Sequence, residues 1–267
     1  MTDTKLKPII EYYDDGTIKR AYSVDENGNK QGPYESYHEN GQLWAKCTYK
    51  DGKIEDGPYE TYHDNGQLCK KCTYKDEEYD GLYESYYENG QLDEKCTYKD
   101  GKEDGPYEAY RDNGHLEVKC TYKDGEYDGP YEEYYENGQL DVKCTYKDGE
   151  KDGPYEEYHD NGQLWVKCTY KEGKIDGPYE KYDKNGQMFI REVYKMGREL
   201  TGKVAEEYLQ EWNEKHIAAQ KSRKGLCARL AQMDKQMAPT QLRQALKRAE
   251  VAKFRARYQE KNAGRER

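Results

Sequence analysis

Phenylalanine is nearly missing: the 267 residues hold two Phe against 30 Tyr, and 34% of positions are hydrophobic while 37% are charged. That balance excludes a thick globular core, since too little apolar surface is available to offset the entropy of ordering the chain. Tyr can bury its ring and keep its hydroxyl wet, which suits a single sheet with water near both faces. No apolar run approaches the ~20 residues needed to cross a bilayer, and the first residues carry no basic-plus-apolar leader, so a soluble cytoplasmic chain is expected. Serine is scarce too. Ser23, Ser36, Ser85 and Ser222 are the only four, none in a nucleophile motif, and no glycine loop is built to cradle a phosphate. The carboxylates recur periodically and read as solvated, not as a tuned acid/base pair. An enzyme is therefore not expected, nor a cofactor.

What is present is repetition. The stretch Gly129 to Asp152 recurs with small edits, its opening glycine returning at Gly32, Gly57, Gly81, Gly105, Gly129, Gly153 and Gly177, at an interval of 25 residues and then of 24. Units this short cannot bury a core alone, so the period predicts a stacked array. Each unit has two runs rich in Tyr, Thr, Leu and Cys around Asn-Gly, the signature of a hairpin whose two turn residues take positive φ. A two-residue turn at Asn40-Gly41 places Tyr37 opposite Trp44, Glu35 opposite Lys46 and Tyr34 opposite Cys47. Glu35 with Lys46 returns as Glu60 with Lys71, Glu84 with Lys95, Glu108 with Lys119, Glu132 with Lys143, Glu156 with Lys167, and Glu180 with Arg191. Exposed pairs of this kind contribute ~0.2–1 kcal/mol, so they mark register more than they stabilise.

Alternation along a strand then sorts the unit into a buried face, Tyr34, Ser36, His38, Leu43, Ala45, Cys47 and Tyr49, and an open face, Glu35, Tyr37, Glu39, Gln42, Trp44, Lys46, Thr48 and Lys50. The segment from Lys50 to Pro58 reads as the connection to the next hairpin. Of the eight Cys, six are one repeat position: Cys47, Cys72, Cys96, Cys120, Cys144 and Cys168. Two strands per unit would hold equivalent positions roughly 9–10 Å apart, beyond disulfide reach, so they read as reduced packing residues. Cys69 and Cys72 form no convincing metal or redox pair, having no second pair and an expected placement on opposite faces. His38, His63 and His159 share one position and read as solvated strand histidines.

The ends differ from the middle. Residues 1–31 hold a worn copy in which Tyr12 to Ile18 aligns with Tyr37 to Leu43, read as an N-terminal cap. From about Thr201 apolar spacing becomes helical, predicting two helices separated at Gly225 and a third starting near Pro239. Residues 201–267 carry 8 Lys and 8 Arg against 8 acidic residues; the −10 of the whole chain thus leaves −18 on residues 1–200. The expected architecture is mainly β: an elongated single-sheet array of stacked antiparallel hairpins over 1–200, then a basic amphipathic helical tail over 201–267.

Gly-x-Tyr-x-x-Tyr, then Asn-Gly-Gln-Leu, then Tyr-Lys-Asp-Gly, resembles the bacterial variant of the MORN repeat, and the chain looks like the YwqK-like antitoxin family over roughly residues 9–200. The resemblance implies stacked hairpins and a non-catalytic binding role, including neutralisation of a toxin. It also brings membrane association and dimerisation, known for MORN repeats elsewhere. The tail lies outside it.

Positions that vary among near-identical units point to a partner. The sharpest changes fall at Trp44, Cys69, Asp93, Glu117, Asp141, Trp165 and Phe189. The predicted register sets them beside an unbroken row of Tyr37, Tyr62, Tyr86, Tyr110, Tyr134, Tyr158 and Tyr182. One reading is a protein-binding stripe with aromatic anchors and an acidic centre matched to a basic partner such as a toxin; the other is a solvated face whose Tyr row supports β structure. A separate reading has the basic tail, through Arg243, Lys247, Arg248, Lys253, Arg255 and Arg257, meeting nucleic acid or an anionic membrane. Against it stand a solvated or array-docked helix and an overall charge that makes the full chain a poor nucleic-acid ligand.

Overall fold

The structure, a computed structural model, describes residues 6–236. Contacts divide the chain into two units, Met1–Ala205 and Glu206–Arg267. The first holds one open antiparallel sheet of 23 strands, paired in chain order. Strands β1 (Lys7–Tyr12) and β2 (Ile18–Val24) form the worn copy, and β3 (Lys30–Tyr37) and β4 (Leu43–Lys50) the first clear one. Short β5 (Lys53–Ile54) folds back on the end of β4, and β6 (Gly57–Tyr62) opens the next copy while pairing with the start of β4. The pattern then repeats down the chain to Arg198–Leu200.

The two turns of a unit differ from expectation in an instructive way. At Asn40-Gly41 only the glycine is left-handed, with φ of 80°. His38 N donates to Gln42 O at 2.8 Å and Gly41 N to His38 O at 2.9 Å, closing a three-residue loop of the type I plus bulge kind. Asn40 Oδ1 accepts from Gln42 N at 2.9 Å, a side-chain turn, while its Nδ2 donates to Asp64 O of the next unit at 2.6 Å. The turn with two positive φ values is instead Asp51-Gly52, at 51° and 82°. Lys50 to Pro58 is thus not a plain connection: it contains a second hairpin, β4 to β5.

The extra turn residue shifts the first pair, so that Tyr37 faces Leu43 and not Trp44. An irregularity between Ser36 and Tyr37 then skips Trp44 and restores Ser36 opposite Ala45, Glu35 opposite Lys46 and Tyr34 opposite Cys47. Two residues on one strand now oppose one on the other, a β-bulge. All seven clear units share it. Opposite residues share a face, so Leu43 and its equivalents join Tyr37, correcting their expected place on the buried face.

The sheet's dry side is one layer deep: Ser36, Ala45, Cys47, Cys72, Cys96, Cys120, Cys144, Val166 and Cys168 are buried there, while Val193, at the repeat position of Thr48, is buried on the opposite face. These cysteines are unpaired. Rings from each hairpin cover them, as with Tyr34 and Tyr49 at 5.1 Å between centroids and Tyr107 and Tyr122 at 5.4 Å, contacts worth ~0.5–1.5 kcal/mol beyond area burial. After the last strand, helix α1 (Gly202–Gln236) runs without a break at Gly225; a lone interior glycine costs ~1 kcal/mol, which a long helix absorbs. The third expected helix lies outside the described residues.

Candidate binding face

One face of the sheet, the ladder face, is set by the Glu35 and Lys46 positions. The register puts each Glu opposite a basic residue of its own hairpin, and each Lys opposite a Glu of the next one, as with Lys46 and Glu60 or Lys119 and Glu132. Opposite charges therefore alternate across the sheet. Ion pairs close at 2.7 Å for Lys119 with Glu108, 2.6 Å for Lys143 with Glu132 and 3.0 Å for Lys167 with Glu156, while Lys46 reaches over the junction to Glu60 at 2.7 Å. The Tyr row lies on the same face, each hydroxyl donating to the Glu two residues back: Tyr37 to Glu35, Tyr62 to Glu60, Tyr86 to Glu84, Tyr110 to Glu108, Tyr134 to Glu132, Tyr158 to Glu156 and Tyr182 to Glu180. The Lys119 ammonium first, and the Tyr110 hydroxyl second, hold Glu108 below the usual carboxylate range. The hydrogen bond to Glu35, with burial second, pushes the Tyr37 phenol up to about 12.

The opposite face is the cysteine face. Here the residue after each of the first six ladder tyrosines staples one hairpin to the next by hydrogen-bonding a backbone carbonyl. His38 Nε2 reaches Tyr62 O at 2.9 Å, His63 Nε2 reaches Tyr86 O at 2.7 Å, Tyr87 Oη reaches Tyr110 O at 2.7 Å, Arg111 Nη2 reaches Tyr134 O at 2.9 Å, Tyr135 Oη reaches Tyr158 O at 2.7 Å and His159 Nε2 reaches Tyr182 O at 3.0 Å. A carbonyl only accepts, so each histidine carries its proton on Nε2. The ladder pairs neighbouring hairpins over two residues here, and the staples engage the carbonyl beyond them. The three histidines are thus structural donors, not solvated ones. Spacing alone could not reveal this, because His, Tyr and Arg share only the capacity to donate.

Seven segments, residues 30–51, 55–76, 79–100, 103–124, 127–148, 151–172 and 175–196, match the MORN repeat variant and together span more than half of the chain. The chain belongs to that family. No curated protein matches it. Among solved structures, those titled "Crystal Structure of TcdB2-TccC3" and "Crystal Structure of TcdB2-TccC3-Cdc42" are 11% and 10% identical, with TM-scores of 0.20 and 0.18. Each alignment covers 72% of this chain and 14% of that chain.

In this MORN-variant array the bulge separates the residues expected to form one stripe. Trp44, Cys69, Asp93, Glu117, Asp141, Trp165 and Phe189 occupy the skipped position, which turns onto the cysteine face, away from the Tyr37 row. Its neighbours there show this directly: Ser85 Oγ donates to Asp93 Oδ2 at 3.0 Å, Arg111 Nη1 pairs with Glu117 at 2.8 Å, and the Trp165 ring lies 5.8 Å from that of His159. The phenols of Tyr87 and Tyr135 are pushed up to about 12, by burial first and by the neighbouring Asp93 and Asp141 carboxylates second. The same turn places Cys69 on the face of Cys72, not opposite it. Both are free thiols, and among the described residues no group of three His, Cys, Asp or Glu is placed to hold a metal. No helix among them is long and apolar enough to cross a membrane. Arg243, Lys247, Arg248, Lys253, Arg255 and Arg257 lie outside the described residues.

Proposed function

We propose that this MORN-variant array is a non-catalytic scaffold that binds a basic protein partner on its cysteine face, in the manner of an antitoxin holding a toxin. Repeats of this family commonly mediate protein or membrane interactions, and the observation that favours a protein here is the skipped row itself. It keeps Trp44, Trp165 and Phe189 exposed at 48%, 37% and 59%, with Asp93 and Asp141 between them. Large aromatics supply anchoring area, and a central acidic stretch steers and orients a basic surface. Glu117 contributes less, being neutralised by Arg111 at 2.8 Å. The ladder-face tyrosines are poorer anchors because their hydroxyls are already engaged within the sheet.

Capture from lysate of the native host, comparing the wild-type chain with Asp93→Lys combined with Asp141→Lys, tests the reading. The double variant is expected to lose the captured basic protein by about tenfold or more. Undiminished capture would overturn it.

A further inference from the structure

The cysteine face carries a series of tyrosine cages, and several are filled by the chain's own lysines. Two repeat positions supply the lysines that meet two or more rings, while Lys181, at a third, lies 5.6 Å from Tyr179 alone. At the position two residues before the opening glycine, the Lys30 ammonium lies 5.0, 4.6 and 4.8 Å from the ring centroids of Tyr22, Tyr34 and Tyr49, and that of Lys151 lies 4.4 and 5.4 Å from Tyr155 and Tyr170. At the Ala45 position, Lys70 lies 5.5 and 5.6 Å from Tyr59 and Tyr79 and donates to Tyr79 Oη at 3.1 Å. The geometry therefore accepts an alkylammonium, drawn by the negative faces of the rings.

Where the third clear unit meets the fourth, both filling positions hold glutamate. Glu94 stands where the preceding unit has Lys70, and Glu103 where other units have Lys30 and Lys151. The rings remain. Tyr83 and Tyr98 lie 5.6 Å apart, with Tyr79 5.6 and 5.2 Å from them, and Tyr98 Oη donates to Glu103 Oε1 at 3.3 Å. Tyr107, across the junction, feels the Glu94 charge after its own burial. Burial first raises the Glu94 pKa, against a hydrogen bond from Cys96, and the charges then acting on it, Asp93 and Glu103, are both negative. All five residues Tyr83, Tyr98, Tyr107, Glu94 and Glu103 are half-buried, so the rings stay within reach of a ligand.

We propose that this doubly acidic tyrosine cage binds the ammonium of a lysine side chain presented by a basic protein partner. The cage stands on its own geometry; only the protein source of the lysine rests on the function proposed above. An incoming ammonium would take the place that Lys70 and Lys30 fill elsewhere and would relieve the repulsion between the two carboxylates.

The test is a calorimetric titration of the full chain with a hexalysine peptide. Three proteins are compared: wild type, Glu94→Lys with Glu103→Lys, and a control with the same charge change on exposed turns, Asp112→Lys with Glu136→Lys. Lysine already occupies both cage positions in other units, so the cage variant should fold. Should it not, Glu94→Gln with Glu103→Gln replaces it, with loss of affinity in the same direction. Expected is a loss of about tenfold or more in the cage variant against about twofold in the control. Equal losses would assign the binding to the array's general charge and overturn the cage, as would undiminished binding in the cage variant. Partner capture that survives in the cage variant but fails in the Asp93 and Asp141 variant would sink the cage and leave the docking reading standing. Cage-specific peptide binding with no basic protein captured by wild type would do the reverse.

Discussion

The second turn of the unit offers a stability test that the repeats themselves control. Six units place glycine at its second left-handed residue, Gly52, Gly101, Gly125, Gly149, Gly173 and Gly197, but one places Glu77 there at φ of 68°. An L side chain in this region costs ~1–2 kcal/mol. Changing Glu77→Gly removes that strain and adds ~0.5–1 kcal/mol of backbone entropy lost on folding. It also removes the Lys53 to Glu77 ion pair at 2.9 Å, whose side chains are 69% and 56% exposed, so the pair sits at the low end of ~0–1 kcal/mol. The balance is a gain of about 0.5 kcal/mol. The reciprocal change Gly125→Glu should cost about 0.5 kcal/mol, since the side chain of Lys102 lies 3.7 to 3.9 Å from where the new Cβ would stand and can pair with the carboxylate as Lys53 does with Glu77. Urea midpoints of the two variants, measured by far-ultraviolet circular dichroism, should move in opposite directions at unchanged slope. A lower midpoint for Glu77→Gly, or no change for Gly125→Glu, would refute the left-handed strain as the dominant effect.

Other outcomes follow from the two faces. Glu94 has its folded pKa raised, by burial first, so its ionisation opposes folding as pH rises; Glu94→Gln should increase the melting temperature at pH 7 and leave it nearly unchanged below pH ~4. The ladder carboxylates Glu60, Glu84, Glu108, Glu132 and Glu156 have lowered pKa values. Their contribution is present above the unfolded value of ~4.5 and is lost as pH falls through the folded ones. Melting temperature should therefore drop on acidification below that point, and less steeply in Glu108→Gln. Burial pushes the thiols of Cys47, Cys72 and Cys144 up to about 11 and those of Cys96, Cys120 and Cys168 up to about 12. In a Cys227→Ser background at pH 8, a thiol reagent should therefore modify half-buried Cys69 well before those six; equal rates would contradict the packing.

The repeat period, the hairpins and the pairing of Glu35 with Lys46 were readable because charge complementarity tests register across the strands. That test is blind near the turn. One extra loop residue and one skipped residue cancel, so every Glu to Lys pair agrees with a two-residue turn while Trp44 and Leu43 exchange faces. The candidate stripe came apart for this reason, its two rows lying on opposite faces of the sheet. The inter-unit staples were hidden because three chemically different side chains perform one hydrogen bond.

Local chemistry, repeated at a fixed spacing, was enough to determine the period, the strand partners and the cysteine layer, since each depends on neighbours within one or two units. Which way a side chain points beside a bulge, and which lysine or glutamate meets which ring, depends on backbone geometry accumulated across strands. A one-residue displacement reverses a face, and only the folded sheet shows where that displacement occurs and where it is undone.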